Sequence, residues 1–318
     1  MNRLVTDRRI ALLVLIVIAF IMMSLISPYF FRVNNLLSMT QYSAVVGLLA
    51  LGQTFVILGG GGGIDLSVGS MMSLSSVFFG LLAVQGGLSP WIAAIIAVAI
   101  GAVLGLVNGL LIALLNLPPL IVTLGTLYLY ASAALVISGG IDINGFDREG
   151  FSTIGQTSIA GLPFQVVVML VPLFIIATIV MMRTRFGREV YEIGSSSLAA
   201  RLAGINVKRT RVKLYVISGS LSAVGAIVSA SWLLNAKSTA GTGMELQAIT
   251  IAVLGGTVIT GGIGRVSGTF LALLLVAILN SGMELAGIGS TFQIGLLGVV
   301  LIISMLVRSS QLAKESVA

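Results

Sequence analysis

Apolar runs long enough to cross a lipid bilayer fill most of this sequence and constrain its fold more than any other feature. A bilayer core of about 30 Å needs about 20 apolar residues in a helix. The sequence therefore predicts an all-α integral membrane protein, a single transmembrane domain over residues 1–318 with about ten helices. The ten runs lie at 10–27, 41–58, 67–85, 90–115, 119–138, 162–182, 213–234, 246–261, 267–284 and 291–307.

The residue inventory excludes several kinds of chemistry. The chain is 57% hydrophobic and 8% charged, and it contains neither His nor Cys, whereas soluble domains are about 25% charged. Thiolate nucleophiles, imidazole bases and zinc sites built on Cys or His are therefore ruled out. We expect no catalytic residue, no metal site and no cofactor bound by this chain, although an enzyme built on Asp or Lys stays conceivable.

Positive charge is distributed asymmetrically along the predicted topology. With the N-terminus in the cytoplasm, only Arg32, Arg148 and Lys237 of the 17 Lys and Arg residues fall outside. Cytoplasmic loops of membrane proteins carry such an excess of Lys and Arg. The pattern places both termini inside and explains the net charge of +7 without a nucleic-acid partner.

The stretch GGGGGIDLSVGS, residues 59–70, lacks the Lys of a phosphate-binding loop. Successive glycines disfavour helix, so we interpret it as the hinge or tight crossing between the second and third spans. Asp65, Ser67 and Ser70 then stand at the start of the third span, where they would cap free N–H groups. A role of the Asp65, Ser67 and Gly69 motif in gating or solute passage is the alternative.

The most polar part of the chain is the cytoplasmic loop at residues 183–212. Within it, SSSLAARLAG predicts a short helix that a serine caps and Gly204 closes. Leu198, Ala199, Leu202 and Ala203 form its apolar face. Such a helix suits docking to a cytoplasmic partner, and a basic loop lying on anionic lipid headgroups is the alternative.

Four motifs in order resemble the ribose-type sugar permeases, the membrane subunits of ATP-binding-cassette importers. They are GGIDLSVGS, PPLIVTLGTLYLY, TRFGREVYEIG with AARLAGINV, and GTGMELQAITIAVLGGTVITGGIGRVSGT, and they span nearly the whole chain. The resemblance implies import of a monosaccharide or sugar-like solute across the bacterial inner membrane. It also implies a second permease chain, a periplasmic solute-binding protein and a separate cytoplasmic ATPase that uses ATP and Mg. Membrane lipid surrounds the complex.

The same resemblance assigns a coupling role to the loop after the sixth span. The residues expected to couple the ATPase are Gly187, Arg188, Gly194, Ala199, Ala200, Arg201 and Gly204.

Polar side chains within the spans are candidates for lining a sugar pathway, because amide and hydroxyl groups replace the water contacts of a sugar. They can equally join helices to one another. The candidates are Gln53, Asn108, Asn116, Thr123, Tyr128, Asn280 and Gln293.

The alternative function is an ion-coupled secondary transporter of a small polar solute. It would need a coupling-ion site, typically a carboxylate at the membrane midplane. Asp65 and Glu284 are the acids near spans, and both are predicted close to span ends. A neutral channel leaves the loop at 183–212 unexplained.

Two glycine patterns bear on helix packing. Residues 52–70 echo residues 255–269, which indicates an internal two-fold repeat of interrupted segments. Gly101, Gly105 and Gly109 form a small-residue ridge that predicts close packing of the fourth span against a neighbour.

Overall fold

The computed structural model describes residues 8–146 and 151–289, together with isolated residues between 292 and 302. Its architecture is a helical bundle with two short two-stranded sheets, β1 with β4 and β2 with β3. The helices are α1 Arg8–Ile26, α2 Val33–Leu58, α3 Val68–Gly80, α4 Pro90–Leu114, α5 Pro119–Ser138, α6 Ser152–Gln156, α7 Val171–Arg183, α8 Arg185–Ser195, α9 Ser197–Leu202, α10 Val207–Leu233, α11 Met244–Leu254 and α12 Val266–Leu285. The strands are β1 Ile143–Asn144, β2 Ser158–Ile159, β3 Leu162–Pro163 and β4 Asn235–Ala236.

Eight helical segments of the described chain are long and apolar enough to cross a membrane. They correspond to eight of the ten predicted runs, and most boundaries agree within a few residues. Two of them include π-helical turns, at Leu81–Gln85 after α3 and at Gln165–Leu170 before α7. The largest difference is α2, which begins at Val33 rather than near residue 41.

The prediction of a full span at residues 246–261 is wrong. There α11 has 11 residues and ends at Leu254, so it covers about 16 Å, half of a bilayer core. Gly255 caps it and Gly256 has a φ of 95°, a left-handed conformation that interrupts a helix. The predicted span at 291–307 lies outside the described residues apart from isolated positions.

Helix α2 forms the centre of the bundle. Every residue from Ser43 to Leu58 is buried, and α10, α11 and α12 pack around the helix. In contrast, α1 and α5 leave large apolar side chains exposed, among them Leu25 and Val136. Exposed apolar faces are what a lipid environment accepts, so the burial pattern separates central from peripheral helices.

The small-residue ridge on α4 packs against α10, as predicted. A Cβ atom at Gly101 would overlap the carbonyl oxygen of Gly219, and one at Gly105 would overlap that of Tyr215. A Cβ atom at Gly109 would lie 2.9 Å from the Cα of Val212. The two backbones therefore approach as closely as helices with small contact residues allow.

The two ends of the bundle differ in structure. One end holds α8 and α9, at the start of α10, and the opposite end holds the β1–β4 sheet, at the end of α10. At the sheet end, Lys237 and Asp142 form an ion pair of 3.3 Å. Since α10 has 27 residues and spans about 40 Å, these two ends lie on opposite sides of a bilayer.

Candidate functional site

The polar segment between α7 and α10 folds into two helices rather than one. Thr184 ends α7 and caps α8, accepting a hydrogen bond from the amide of Gly187 at 3.3 Å. A Cβ atom at Gly187 would overlap the backbone of Met181, so glycine allows the sharp reversal between α7 and α8. Arg188 is exposed on α8. The sequence analysis missed α8, although Phe186, Val190 and Ile193 have helical spacing after a capping residue.

Helix α9 begins and ends with the predicted residue types. The Ser196 hydroxyl accepts a hydrogen bond from the amide of Ala199 at 3.2 Å. After the helix, Gly204 has a φ of 81°, and the amide of Ile205 donates to the carbonyl of Ala200. These contacts close the helix at both ends.

The predicted apolar face of α9 is its exposed face. Ala200 is buried and packs with Ile193 and Val207. Leu198 and Leu202 are 68% and 83% exposed, and Ala199, Arg201 and Ala203 are exposed too. Ala200 therefore anchors α9 to the bundle, and Leu198 and Leu202 are the large apolar side chains that face outward.

Helix α8 is bonded to both neighbouring parts of the bundle. The Tyr191 hydroxyl donates to the carbonyl of Gly264 at 3.0 Å, and the Thr210 hydroxyl donates to Glu189 at 3.2 Å. Burial raises the pKa of Tyr191, an effect that Arg265 partly opposes. The phenol thus remains a hydrogen-bond donor at neutral pH.

Three backbone segments meet at four glycines, Gly60, Gly194, Gly261 and Gly262, which we call the glycine node. A Cβ atom at Gly194 would overlap the carbonyl oxygen of Leu58 and the amide of Gly262. A Cβ atom at Gly261 would overlap the Cα of Gly60. The end of α8 therefore touches both the link that follows α2 and the link that precedes α12, and side chains at the node would separate them.

A buried polar cluster lies farther along the link between α2 and α3. It consists of Gln53, Asp65, Ser67, Asn108 and Ser218, which we call the Asp65 cluster, and none of the five is more than 1% exposed. Asp65 Oδ1 accepts from the Ser67 hydroxyl at 2.6 Å, and Asp65 Oδ2 accepts from the Ser218 hydroxyl at 2.9 Å.

The rest of the cluster extends these bonds to α2 and α4. Asn108 donates to the Ser67 hydroxyl at 2.8 Å. In the amide orientation that satisfies both of its polar atoms, Gln53 pairs with the backbone of Asp65 through two hydrogen bonds of 3.1 Å. The link is thereby bonded to α2, α4 and α10 together.

Capping at the start of α3 differs from the expectation. Asp65 Oδ1 accepts from the Ser67 amide at 3.0 Å, which satisfies one free N–H group. The hydroxyls of Ser67 and Ser70 do not cap: they donate to Asp65 and to the Ser67 carbonyl. Gly69 permits a backbone crossing, because a Cβ atom there would overlap the carbonyl of Gly241.

The other predicted pathway residues lie at several places in the bundle. Thr123 is fully buried on α5, and its hydroxyl donates to the Pro119 carbonyl at 2.9 Å and to the carbonyl of Ile64, the residue before Asp65, at 3.2 Å. Asn116 lies exposed between α4 and α5 with a φ of 55°, and Tyr128 is 66% exposed on α5. Asn280 lines a cavity at the sheet end of the bundle, as does Gln293. The structure thus groups Gln53 and Asn108 with Asp65 and Ser67, and it separates them from Asn280.

The sequence analysis did not single out Ser218 as a member of the Asp65 cluster. It lies 153 residues beyond Asp65, in the middle of a largely apolar helix. Its only sequence signal is a hydroxyl within a predicted span, which Ser222 and Ser229 share.

Comparison with known proteins gives a consistent set of matches. Residues 35–305 match the model of a family described as branched-chain amino acid transport system / permease component. The ribose import permease protein RbsC of Bacillus subtilis is 38% identical, covering 90% of this chain and 88% of the relative. RbsC of Escherichia coli is 37% identical, covering 95% and 92%. The autoinducer 2 import system permease protein LsrD of an Enterobacter species is 36% identical, covering 96% and 93%. No solved structure matches the chain.

Proposed function

The chain belongs to the permease-component family whose model matches residues 35–305, and from this premise we propose that it is the membrane subunit of an ATP-driven importer. Its cargo is a monosaccharide or a similar sugar-like solute, in keeping with the ribose and autoinducer 2 permeases that it resembles. It acts in the bacterial inner membrane with a second permease chain and a periplasmic binding protein. ATP and Mg are used by a separate ATPase.

The observation that carries this proposal is the contact between α8 and the two glycine-rich links. An ATPase docked on α9 would displace α8, and at the glycine node α8 touches the links after α2 and before α12. A shift of α8 therefore reaches two membrane helices through backbone contacts. Packed backbones transmit displacement because they have little free volume to absorb it.

The docking surface is the outward face of α9. Leu198 and Leu202, four residues apart, project from one side of the helix, and Arg188, Arg201 and Lys208 are exposed around them. An apolar pair surrounded by basic residues is more favourably placed in a protein groove with acidic margins than in water.

The test replaces both leucines in the full complex. We expect Leu198→Glu with Leu202→Glu to abolish co-purification of the ATPase and ATP-driven uptake, because two apolar side chains that the complex would bury become charges. Leu115→Glu is the matched control, since Leu115 is 63% exposed at the same end of the bundle and outside the α8–α9 segment. Elution volume and thermal stability of the chain establish that each variant is folded.

Two results would overturn the proposal. One is full ATPase retention and uptake in the double variant. The other is solute uptake by the isolated chain in liposomes driven by an ion gradient, which would establish the ion-coupled alternative. Asp65 forms no ion pair among the described residues and is enclosed by hydroxyl and amide groups, so it offers no open coupling site.

A further inference from the structure

A cavity of about 730 Å³ opens at the sheet end of the bundle, opposite α8 and α9. The first turns of α2, the end of α10 and the end of α12 surround it. Its volume lies within the range of about 300–1,000 Å³ that is typical of small-molecule sites. In the proposed topology this end faces the periplasm, where a binding protein would release its solute.

The lining combines aromatic rings with hydrogen-bonding side chains. Its chief members are Asn35, Tyr42, Trp232, Asn280, Glu284 and Gln293. Aromatic side chains offer large apolar surfaces with polar tips, while amides and carboxylates offer fixed acceptors. This combination suits a solute with both C–H surface and hydroxyl groups.

The lining has free hydrogen-bond acceptors. Asn280 Oδ1 is buried and has no hydrogen-bond partner among the described residues, and a buried polar atom without a partner is costly. Glu284 is exposed in the cavity and forms no ion pair among the described residues. Both groups therefore accept from a ligand that presents O–H donors.

Other polar groups of the lining already have partners. The Ser281 hydroxyl donates to Asn35 Oδ1 at 3.0 Å, and Asn35 Nδ2 donates to the carbonyl of Phe30 at 2.9 Å. The Tyr42 hydroxyl donates to Gln247 on α11 at 2.9 Å. These bonds hold the walls in place, while Asn280 and Glu284 remain available to a solute.

The charge of the lining distinguishes solute classes. Its described residues include one carboxylate, Glu284, and no Lys or Arg. A free amino acid would bring a carboxylate that nothing in this lining neutralises, and burying an unpaired charge is unfavourable. A neutral polyol has no such penalty.

We propose that this cavity is the outer solute site of the chain and that it takes a neutral polyhydroxylated solute of monosaccharide size. Asn280 and Glu284 accept hydrogen bonds from its hydroxyl groups, and Trp232 and Tyr42 contact its carbon surface. The inference rests on the proposed function for its orientation and deepens it by placing the solute.

The test uses Trp232 as a reporter in the purified full chain. The chain has two Trp residues, and the other, Trp91, lies on α4 outside the cavity lining, so Trp91→Phe leaves Trp232 alone. In this background, D-ribose, D-xylose, D-galactose and L-rhamnose are titrated, with L-leucine for comparison. We expect a saturable change in Trp232 emission with at least one sugar and none with L-leucine.

Two further variants separate binding from general quenching. Asn280→Ala should weaken the apparent affinity on the order of tenfold, as the loss of one buried hydrogen bond does. Asn34→Ala is the matched control, because Asn34 is exposed on α2 beside Asn35 and is absent from the lining. It should leave the affinity unchanged.

The outcomes distinguish this inference from the proposed function. If no sugar gives a saturable change, or Asn280→Ala has no effect, while ATP-driven uptake persists, the cavity is not the solute site and the importer function stands. Saturable binding of L-leucine would overturn the solute class. Saturable sugar binding with uptake that needs no ATPase would keep the site and reject the importer function.

Discussion

The link between α2 and α3, residues 59–67, and the link between α11 and α12, residues 255–265, meet at the glycine node but continue differently. Gly60, Gly61 and Gly62 all have φ near 70°, and the chain then turns back into the bundle to the buried Asp65. The second link also uses left-handed glycines, at Gly261 and Gly262, yet its neighbours Thr260, Ile263 and Arg265 are exposed. Both links are partly buried, but the first is bonded through Asp65 to a buried polar cluster, whereas the buried Thr257 hydroxyl of the second has no hydrogen-bond partner among the described residues.

The helices that lead into the links differ in the same way. Helix α2 has 26 residues and crosses the whole bundle, whereas α11 has 11. Both links are rich in glycine and both can therefore turn sharply. What distinguishes them is the polar residue after the turn, because Asp65 binds the first link to the helices around it. We therefore expect the first link to be the fixed partner of the node and the second to be the movable one.

The largest expected effect is the loss of the carboxylate that fixes the first link. Asp65→Ala leaves the amide and hydroxyl of Ser67 and the hydroxyl of Ser218 without their acceptor. We expect the free energy of unfolding to fall by roughly 4 kcal/mol, since each buried donor that loses its acceptor costs about 1–3 kcal/mol. Denaturant titration in detergent measures it. Asp65→Asn keeps one acceptor oxygen and should retain part of the stability, and a loss equal to that of Asp65→Ala would contradict a contribution from the hydrogen bonds of the retained oxygen.

The next effect concerns the contact between the links. Gly261→Ala places a Cβ atom against the Cα of Gly60, at a φ of 94°. We expect a loss of roughly 3 kcal/mol from overpacking and backbone strain together. Gly62→Ala is the control: its φ of 72° is similar, but nothing lies within 4 Å of the added atom, so it should cost about 1 kcal/mol. Equal losses would show that the node contact contributes nothing.

The smallest effect tests how α8 holds the movable link. Tyr191→Phe removes the hydrogen bond to the carbonyl of Gly264 and should lower the free energy of unfolding by about 1 kcal/mol. In the intact importer it should also reduce uptake per ATP hydrolysed, because α8 loses a contact with the link. Tyr128→Phe, at a 66% exposed position, should change stability by only a few tenths. A lower uptake per ATP with an unchanged free energy of unfolding would show that the Tyr191 hydroxyl serves transport and contributes nothing to stability.

The internal repeat predicted for residues 52–70 and 255–269 pairs two segments that have different structures. Gly52 and its neighbours lie inside α2, whereas Gly255 and its neighbours follow the end of α11. The two stretches were aligned by the similar residue order of LGQTFVILGG and LGGTVITGG. Their real similarity is the order helix, glycine link, helix, with both links meeting at Gly194.

Much of the fold was predictable because span length depends on local composition. Eight runs were placed from the number of consecutive apolar residues, and the ridge of Gly101, Gly105 and Gly109 predicted a close helix contact. The length of α11 was not predictable in this way, because the residues after Leu254 are also apolar enough to continue a span. Its end depends on the left-handed turn at Gly256.

Most residues of the Asp65 cluster were singled out from the sequence, but their arrangement was not predicted. Asp65, Ser67, Gln53 and Asn108 were each singled out, but as a cap motif and as pathway candidates. Their meeting with Ser218 around the link requires three helices and the link to pack together. The buried anchor of α9 was likewise hidden, because Ala199 and Ala200 look alike in sequence, and packing against Ile193 and Val207 distinguishes them.

By itself, the sequence determined that this chain spans a membrane many times, that it has no cysteine or histidine chemistry, and which family it resembles. These properties follow from composition, apolar length and motif order, which need no knowledge of contacts. Only the tertiary structure decided that Gly60, Gly194 and Gly261 meet, that Asp65 is enclosed, and that Asn280 and Glu284 share a cavity. Such features join residues far apart in the chain, and in a helix that is apolar on all sides the periodicity does not indicate which face meets which neighbour.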